Sequence, residues 1–228
     1  MIERSPAGDT FLVPAPLCFP VTKETHAHGA ALRVLYGILW LSAEVLRSGA
    51  AVRVGASLAE IRIASGFENY DKDSPVTDVL SLLAGDTCEL KDGDPIKIFR
   101  SLEVVDEETR AVEWVFTKEF SDLFISPRVY AIVSISEMVH LKSGLDFFLY
   151  LQLRRIWKMK VKAVRLSVPD LRKSSGLKEG ATFQRISERV RRTSQRLEGL
   201  LCGEISLRPM RLPGERRHGE VKFEIISQ

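Results

Sequence analysis

Residues 182–197 read TFQRISERVRRTSQRL and hold five arginines, two glutamines and one acid. Arginine can grip guanine in bidentate fashion, glutamine can grip adenine, and both can reach phosphate oxygens. Phe183, Ile186, Val190 and Leu197 recur at helical spacing with Thr193 between them, so they form one side of a helix. Gln184, Glu188, Arg191 and Gln195 point the opposite way, and Arg185 and Arg192 flank one edge of that outer face. Such a helix docks by its apolar side and offers the other side to a major groove. Thr182, Gln184, Arg185 and Glu188, at its N-terminal end, are the candidates for base edges. Arg191, Arg192 and Gln195 are the candidates for phosphates or the groove wall.

The segments on either side fit the same chemistry. PDLRKSSGL at 169–177 reads as a short helix stopped by Gly176, the first half of a helix-turn-helix. Its Lys173, Ser174 and Ser175 join the candidate contacts. EISLRPMRLPGERRHGEVKFEIIS, after the arginine-rich helix, reads as a hairpin. Its tip carries Arg216, Arg217 and His218, and its incoming strand carries Arg208 and Arg211. A basic tip beside a recognition helix is what a wing needs to hold a phosphate backbone or a minor groove. The competing reading is a solvated arginine surface. The short helix, the basic hairpin and the charge of this half weigh against it.

That charge is unevenly spread. Residues 1–120 hold 12 Lys+Arg and 19 Asp+Glu, a balance of −7; residues 121–228 hold 21 and 11, a balance of +10. The asymmetry suggests two modules with different partners, the basic one suited to a polyanion. We place the modules at 1–120, acidic and suited to dimerisation or partner contact with a possible secondary DNA contact, and 121–228, basic and the principal DNA binder.

The rest of the chain has the elements to build both. Residues 1–28 are Pro-rich and read as an arm with one short strand at Phe11–Val13. AALRVLYGILWLSAEVLR at 30–47 is a buried helix, AVRVG at 51–55 a strand, and SLAEIRIASGF at 57–67 a helix with capping-box spacing, Ser57 to Glu60. A helix from Asp73 or Ser74 to near Gly85 follows, then strands at TCEL, PIKIFRSLEVV and AVEWVF separated by KDGD and DEET turns. The second half reads as helices at 118–124, 133–141 and 143–160, a strand at 163–168, the two helices above and the hairpin. Each half therefore ends on long helix, strand, short helix, turn, helix, hairpin. This is the order of a winged helix-turn-helix, so the expected fold is α+β with two tandem winged domains. The sequence yields a repeat of element order and no residue-level repeat.

The two halves differ where DNA would be read. SPVTDVLSLLAG, the first half's equivalent of the arginine-rich helix, has Asp78, several leucines and no basic residue. Protein contact suits it better than base reading; packing of those leucines into its own core is the equal alternative.

Other chemistries find no support. An apolar content of 45% affords a core. The N-terminus lacks the layout of a signal peptide, and no apolar run is long enough to cross a bilayer. Cys18, Cys88 and Cys202 lie far apart and read as reduced thiols in a cytoplasmic protein. There is no glycine-rich phosphate loop. His26, His28, His140 and His218 have no ligand partners beyond the weak HAH pair, so no metal, cofactor or enzymatic activity is expected.

The chain resembles plasmid replication initiators of the tandem winged-helix, RepA-like type. RVLYGILWLSAEVLRSGAAVRVGASLAEIRIASGF is similar to the opening of their first domain, and WVFTKEFSDLFISPRVYAIVSISEMVHLKSGLDFFLYLQLRRIWK to the start of their second. HLKSGLDFFLYLQLRR is the most telling run, with LSVPDLRKSSGL where the second helix-turn-helix belongs. The resemblance implies binding to repeated origin sites (iterons) in double-stranded DNA, help in opening the origin, and recruitment of host initiator and helicase proteins. It also implies a homodimer in equilibrium with monomer, and autorepression. Members often carry basic residues in the first domain's recognition helix, which this chain lacks. A second reading is a winged-helix transcriptional regulator whose first domain senses a partner or ligand. A third is an adaptor that binds only protein.

Overall fold

Two eleven-residue segments, SLAEIRIASGF at 57–67 and SVPDLRKSSGL at 167–177, take the same local structure, and the fold is arranged around them. Ser, Arg, Ser and Gly recur at 57/167, 62/172, 65/175 and 66/176, with acids at Glu60 and Asp170. The expectation of no residue-level repeat is thereby corrected. Ser57 caps the first helix by accepting from Glu60 N, and Ser167 caps the second by accepting from Asp170 N. Both helices end on a glycine with positive φ, +70° at Gly66 and +60° at Gly176. The same pair of closing hydrogen bonds follows each: Phe67 N to Arg62 O and Gly66 N to Ile63 O, then Leu177 N to Arg172 O and Gly176 N to Lys173 O. This is the Schellman closure, which ends each helix by satisfying its last carbonyls.

The structure, a computed structural model, describes residues 8–18, 29–49, 52–67, 74–85, 87–88, 95–106, 110–159, 163–177, 181–201, 204–210 and 220–226. It is α+β. The chain opens with β1 (Thr10–Pro14) and a short 3-10 turn at Ala15–Cys18, then α1 (Gly29–Leu41), α2 (Ala43–Ser48), β2 (Val54–Ser57), α3 (Leu58–Ala64) and α4 (Ser74–Ala84). Next come β3 (Thr87–Cys88), β4 (Ile96–Lys97), β5 (Phe99–Asp106), β6 (Ala111–Phe116) and α5 (Lys118–Asp122). The second half has β7 (Tyr130–Ser134), α6 (Ile135–Met138), α7 (Gly144–Met159), β8 (Ala163–Ser167), α8 (Val168–Ser174), α9 (Phe183–Leu201), β9 (Glu204–Met210) and β10 (Glu220–Ile226).

Two three-stranded antiparallel sheets repeat one topology. In β2-β6-β5 and in β8-β10-β9, the strand before the short helix pairs with the last strand of its half. β3 and β4 make a small separate pair. Apolar alternation makes β6 a core strand: Val112, Trp114 and Phe116 are buried. Trp114 Nε1 donates to Ser42 Oγ at 2.9 Å, and Ser42 Oγ donates to Ile38 O at 2.7 Å, which marks the break between α1 and α2. The single helix expected at 30–47 is thus two.

The expected helix at 133–141 is also shorter than read. Residues 130–134 form β7, and β1 pairs with it along Thr10↔Ser134 to Pro14↔Tyr130. The arm therefore runs from the first half to the second. Tyr36 Oη of α1 donates to Leu17 O at 3.1 Å, and Ile135 N donates to Asp9 O at 2.8 Å. Asp9 also caps α6, accepting from Ser134 Oγ at 2.5 Å, Ser136 Oγ at 3.0 Å and Ser136 N at 3.2 Å. Tyr36 stacks on Phe147 of α7 with ring centroids 5.5 Å apart, and one apolar core runs through both halves. Among the described residues, no helix is long and apolar enough to cross a membrane.

Candidate nucleic-acid interface

The arginine-rich segment folds as the helix its periodicity predicts. Thr182 caps α9, its hydroxyl accepting from Arg185 N at 3.4 Å and its carbonyl from Ile186 N at 3.2 Å. Ile186, Val190, Thr193, Ser194, Leu197 and Leu201 are buried, and half-buried Phe183 packs against the core. This side docks on α7, α8 and β9. Burying an aliphatic side chain of this size stabilises by about 1.5–3 kcal/mol, so three or four such residues fix which side faces out.

The outward side carries Thr182, Gln184, Arg185, Glu188, Arg191, Arg192 and Gln195, all exposed. Gln184 Nε2 donates to Glu188 Oε1 at 3.2 Å, one helical turn on. Arg185, Arg191 and Arg192 have no side-chain partner among the described residues.

The remaining two arginines of α9 do structural work that the sequence reading left unassigned. Arg189 donates from Nη1 to Ser175 O, the carbonyl at the end of α8. Arg196 Nη2 pairs with Asp146 Oδ1 at 2.5 Å and with Thr193 Oγ1 at 3.1 Å. Arg172 Nη2 of α8 donates to Ala181 O, just before Thr182, at 3.4 Å. A signal for Arg189 and Arg196 did exist: both lie between the apolar and the outward side of the wheel.

Two candidates need correcting. Ser174 and Ser175 are 1% and 9% exposed, and their hydroxyls donate to Asp170 O and Leu171 O one turn back. Short side chains at the end of a buried helix satisfy its own carbonyls, so these two do not face a groove. Lys173, just before them, is half-buried.

The hairpin is described only in its strands. Arg208 stands in β9 opposite Lys222 of β10, which in turn stands opposite exposed Arg165 of β8. Arg211, Arg216, Arg217 and His218 lie outside the described residues, as do His26 and His28. In the first half, α4 exposes Asp78, Ser81 and Leu82, the last at 54%, and no cation on its described outer side. β5, an edge strand, exposes Val104 and Val105.

No family model and no curated relative matches the chain at the sequence level. Solved structures do match in three dimensions. The chain is similar to the Pi initiator protein in a crystal structure with iteron DNA, at TM-score 0.68 and 13% identity over 96% of this chain and 98% of that one. It is also similar to domains 2 and 3 of RctB, at TM-score 0.55 and 12% identity over 87% of this chain and 82% of that one. The chain shares its fold with these two proteins.

Proposed function

We propose that the chain is a plasmid replication initiator that binds repeated origin sites in double-stranded DNA through α9. The reading rests on one observation: α9 buries its apolar side and leaves Gln184, Arg185, Arg191, Arg192 and Gln195 exposed. It does so in a chain whose fold is shared, over nearly its whole length, with an initiator crystallised on iteron DNA. In this reading each half is a winged helix-turn-helix. The repeated sheet topology and the paired Schellman turns at Gly66 and Gly176 support that assignment. α8 and α9 are the helix-turn-helix of the basic half, and the β9–β10 hairpin is its wing. Thr182, Gln184, Arg185 and Glu188 meet base edges. Lys173, Arg191, Arg192, Gln195 and the wing residues Arg208, Arg211, Arg216, Arg217 and His218 meet phosphates or the groove wall.

The mechanism requires no bond-making by this protein. Phosphate contacts give salt-dependent affinity, with a slope of log K against log salt of about −0.9 per phosphate neutralised. Bidentate base contacts add discrimination of about 1–3 kcal/mol each. The acidic first half takes the protein partners: a second copy of the chain, or host replication proteins recruited to an opened origin. As dimers, such proteins would also repress their own gene.

The deciding experiment is a binding titration at two salt concentrations with the DNA flanking the gene. Tight binding to several direct repeats spaced by about two helical turns supports the initiator. Binding to one inverted repeat at a promoter supports the second reading, a regulator with a partner-sensing first half, which the cation-free α4 favours. No binding at either salt overturns both.

A further inference from the structure

Two arginines at the edge of the docked side of α9 lie two turns apart, and each ties the helix to a different neighbour. Arg189 holds the end of α8, and Arg196 holds Asp146 in the first turn of α7. Resting on the DNA-binding reading above, we propose that the Arg196–Asp146 ion pair is a positioning element. It fixes the angle at which α9 presents its outward side, so that discrimination between DNA sequences depends on a pair that touches no DNA.

The geometry of Asp146 carries the argument. Its side chain is 3% exposed, and Oδ2 accepts from Lys142 N at 2.9 Å and Ser143 N at 3.0 Å. Ser143 Oγ returns the contact by accepting from Asp146 N at 3.2 Å, a reciprocal cap on α7. The carboxylate is thus held by backbone, and among the described residues Oδ1 is left for Arg196 alone. A guanidinium bound to a carboxylate so placed has little freedom to shift. Arg189 and Arg196 are seven residues apart, about 10 Å along the axis, so α9 is gripped at two points and cannot pivot about either.

The loop that holds Asp146 is itself seated on the first half. Arg33 Nη1 of α1 donates to Val139 O at 3.4 Å, with its guanidinium 4.0 Å from the Phe67 ring centroid. At Gly29 an added Cβ would lie 2.2 Å from Lys142 O, and at Gly66 one would lie 2.4 Å from Val139 Cβ. Residues 139–143 therefore meet α1 and the α3 turn on one side and Asp146 on the other. The Arg196 link carries that seat through to α9.

Arg196 is half-exposed, so the rival role is a phosphate ligand. The two roles predict opposite results. Take a duplex selected from a randomised library by the wild-type protein, and a scrambled duplex of the same length, each titrated across a range of salt. For positioning, Arg196→Gln and Asp146→Asn each lower the selected-to-scrambled affinity ratio about tenfold and leave the salt slope on scrambled DNA unchanged. The double variant is no worse than the weaker single one, since both remove one link. For a phosphate ligand, Arg196→Gln makes the salt slope shallower by about 0.9, and Asp146→Asn, which removes a negative charge, tightens scrambled binding.

Asn at 146 keeps an oxygen for the two backbone donors, so the cap survives. Should Asp146→Asn still fail to fold, Arg196→Lys replaces it, with an intermediate ratio and a full salt slope expected. Ser42→Ala, which breaks the buried contact to Trp114, is the stability control: a lower Tm with an unchanged ratio. An unchanged ratio in the Arg196 and Asp146 variants, a shallower slope, or additive losses would overturn the proposal alone. A wild-type protein that selects no duplex overturns the DNA-binding reading with it.

Discussion

Arginine has three distinct uses within α9. Arg185, Arg191 and Arg192 are exposed, Arg189 closes the turn from α8, and Arg196 meets a buried carboxylate. Composition alone treats all five alike. At the N-terminal end of the helix, Arg185→Ala should cost about 1–3 kcal/mol on a selected duplex and much less on a scrambled one. Arg216→Ala with Arg217→Ala should weaken both duplexes by similar factors. Parallel titrations of the two duplexes check this; equal losses for Arg185→Ala would remove its base-reading role. Asp9 supplies a second prediction at this scale. Its carboxyl is held below the usual range, chiefly by the hydrogen bond from the Ser134 hydroxyl, against an opposing effect of burial. A carboxyl with a lowered folded pKa stabilises the fold above its unfolded pKa of about 3.9. That stability is lost as pH falls through the folded value. Asp9→Asn should therefore flatten the acid limb of a stability-against-pH curve below about pH 4 and leave the neutral region little changed in slope.

At the scale of elements, the paired turns that end α3 and α8 test whether the two repeated segments tolerate the same change. Gly66 and Gly176 both sit at positive φ, where a Cβ costs roughly 1–2 kcal/mol. Gly176→Ala should lower stability by about that much. Gly66→Ala should cost more, since its Cβ would meet Val139 at 2.4 Å in the seam between the halves. Denaturant unfolding of both variants, compared at equal m-values, measures the difference. Ile186, fully buried under α9, gives the complementary test. Truncation to Ala should destabilise by about 2–5 kcal/mol, and binding should fall with the folded fraction alone.

Across the whole molecule, the arm decides how the halves are joined. β1 pairs with β7, Leu17 accepts from Tyr36 of α1, and Ala15 N donates to Val129 O at 2.9 Å. A chain lacking residues 1–18 should lose cooperative unfolding, with separate transitions for the two halves in calorimetry; one unchanged transition would show that the core contacts suffice. The charge division between the halves sets a second expectation. Binding through the basic half should remain strongly salt-dependent even with the first half removed from DNA contact.

The sequence by itself determined the faces of α9, the capped start of α3, and the closing run of strand, short helix, helix and hairpin in each half. Those depend on residues within one helical turn or one hairpin of each other, so local spacing encodes them. It also held the 57–67 and 167–177 repeat, hidden because only four positions are identical and one, Ile63 against Lys173, changes polarity outright. Only the tertiary structure decided that residues 130–134 are a strand, because the partner of β7 is the arm more than a hundred residues earlier. It likewise decided that Ser174 and Ser175 turn inward and that Arg189 and Arg196 are held. Which side chains meet across the chain is fixed by how the helices pack, and no local periodicity carries that information.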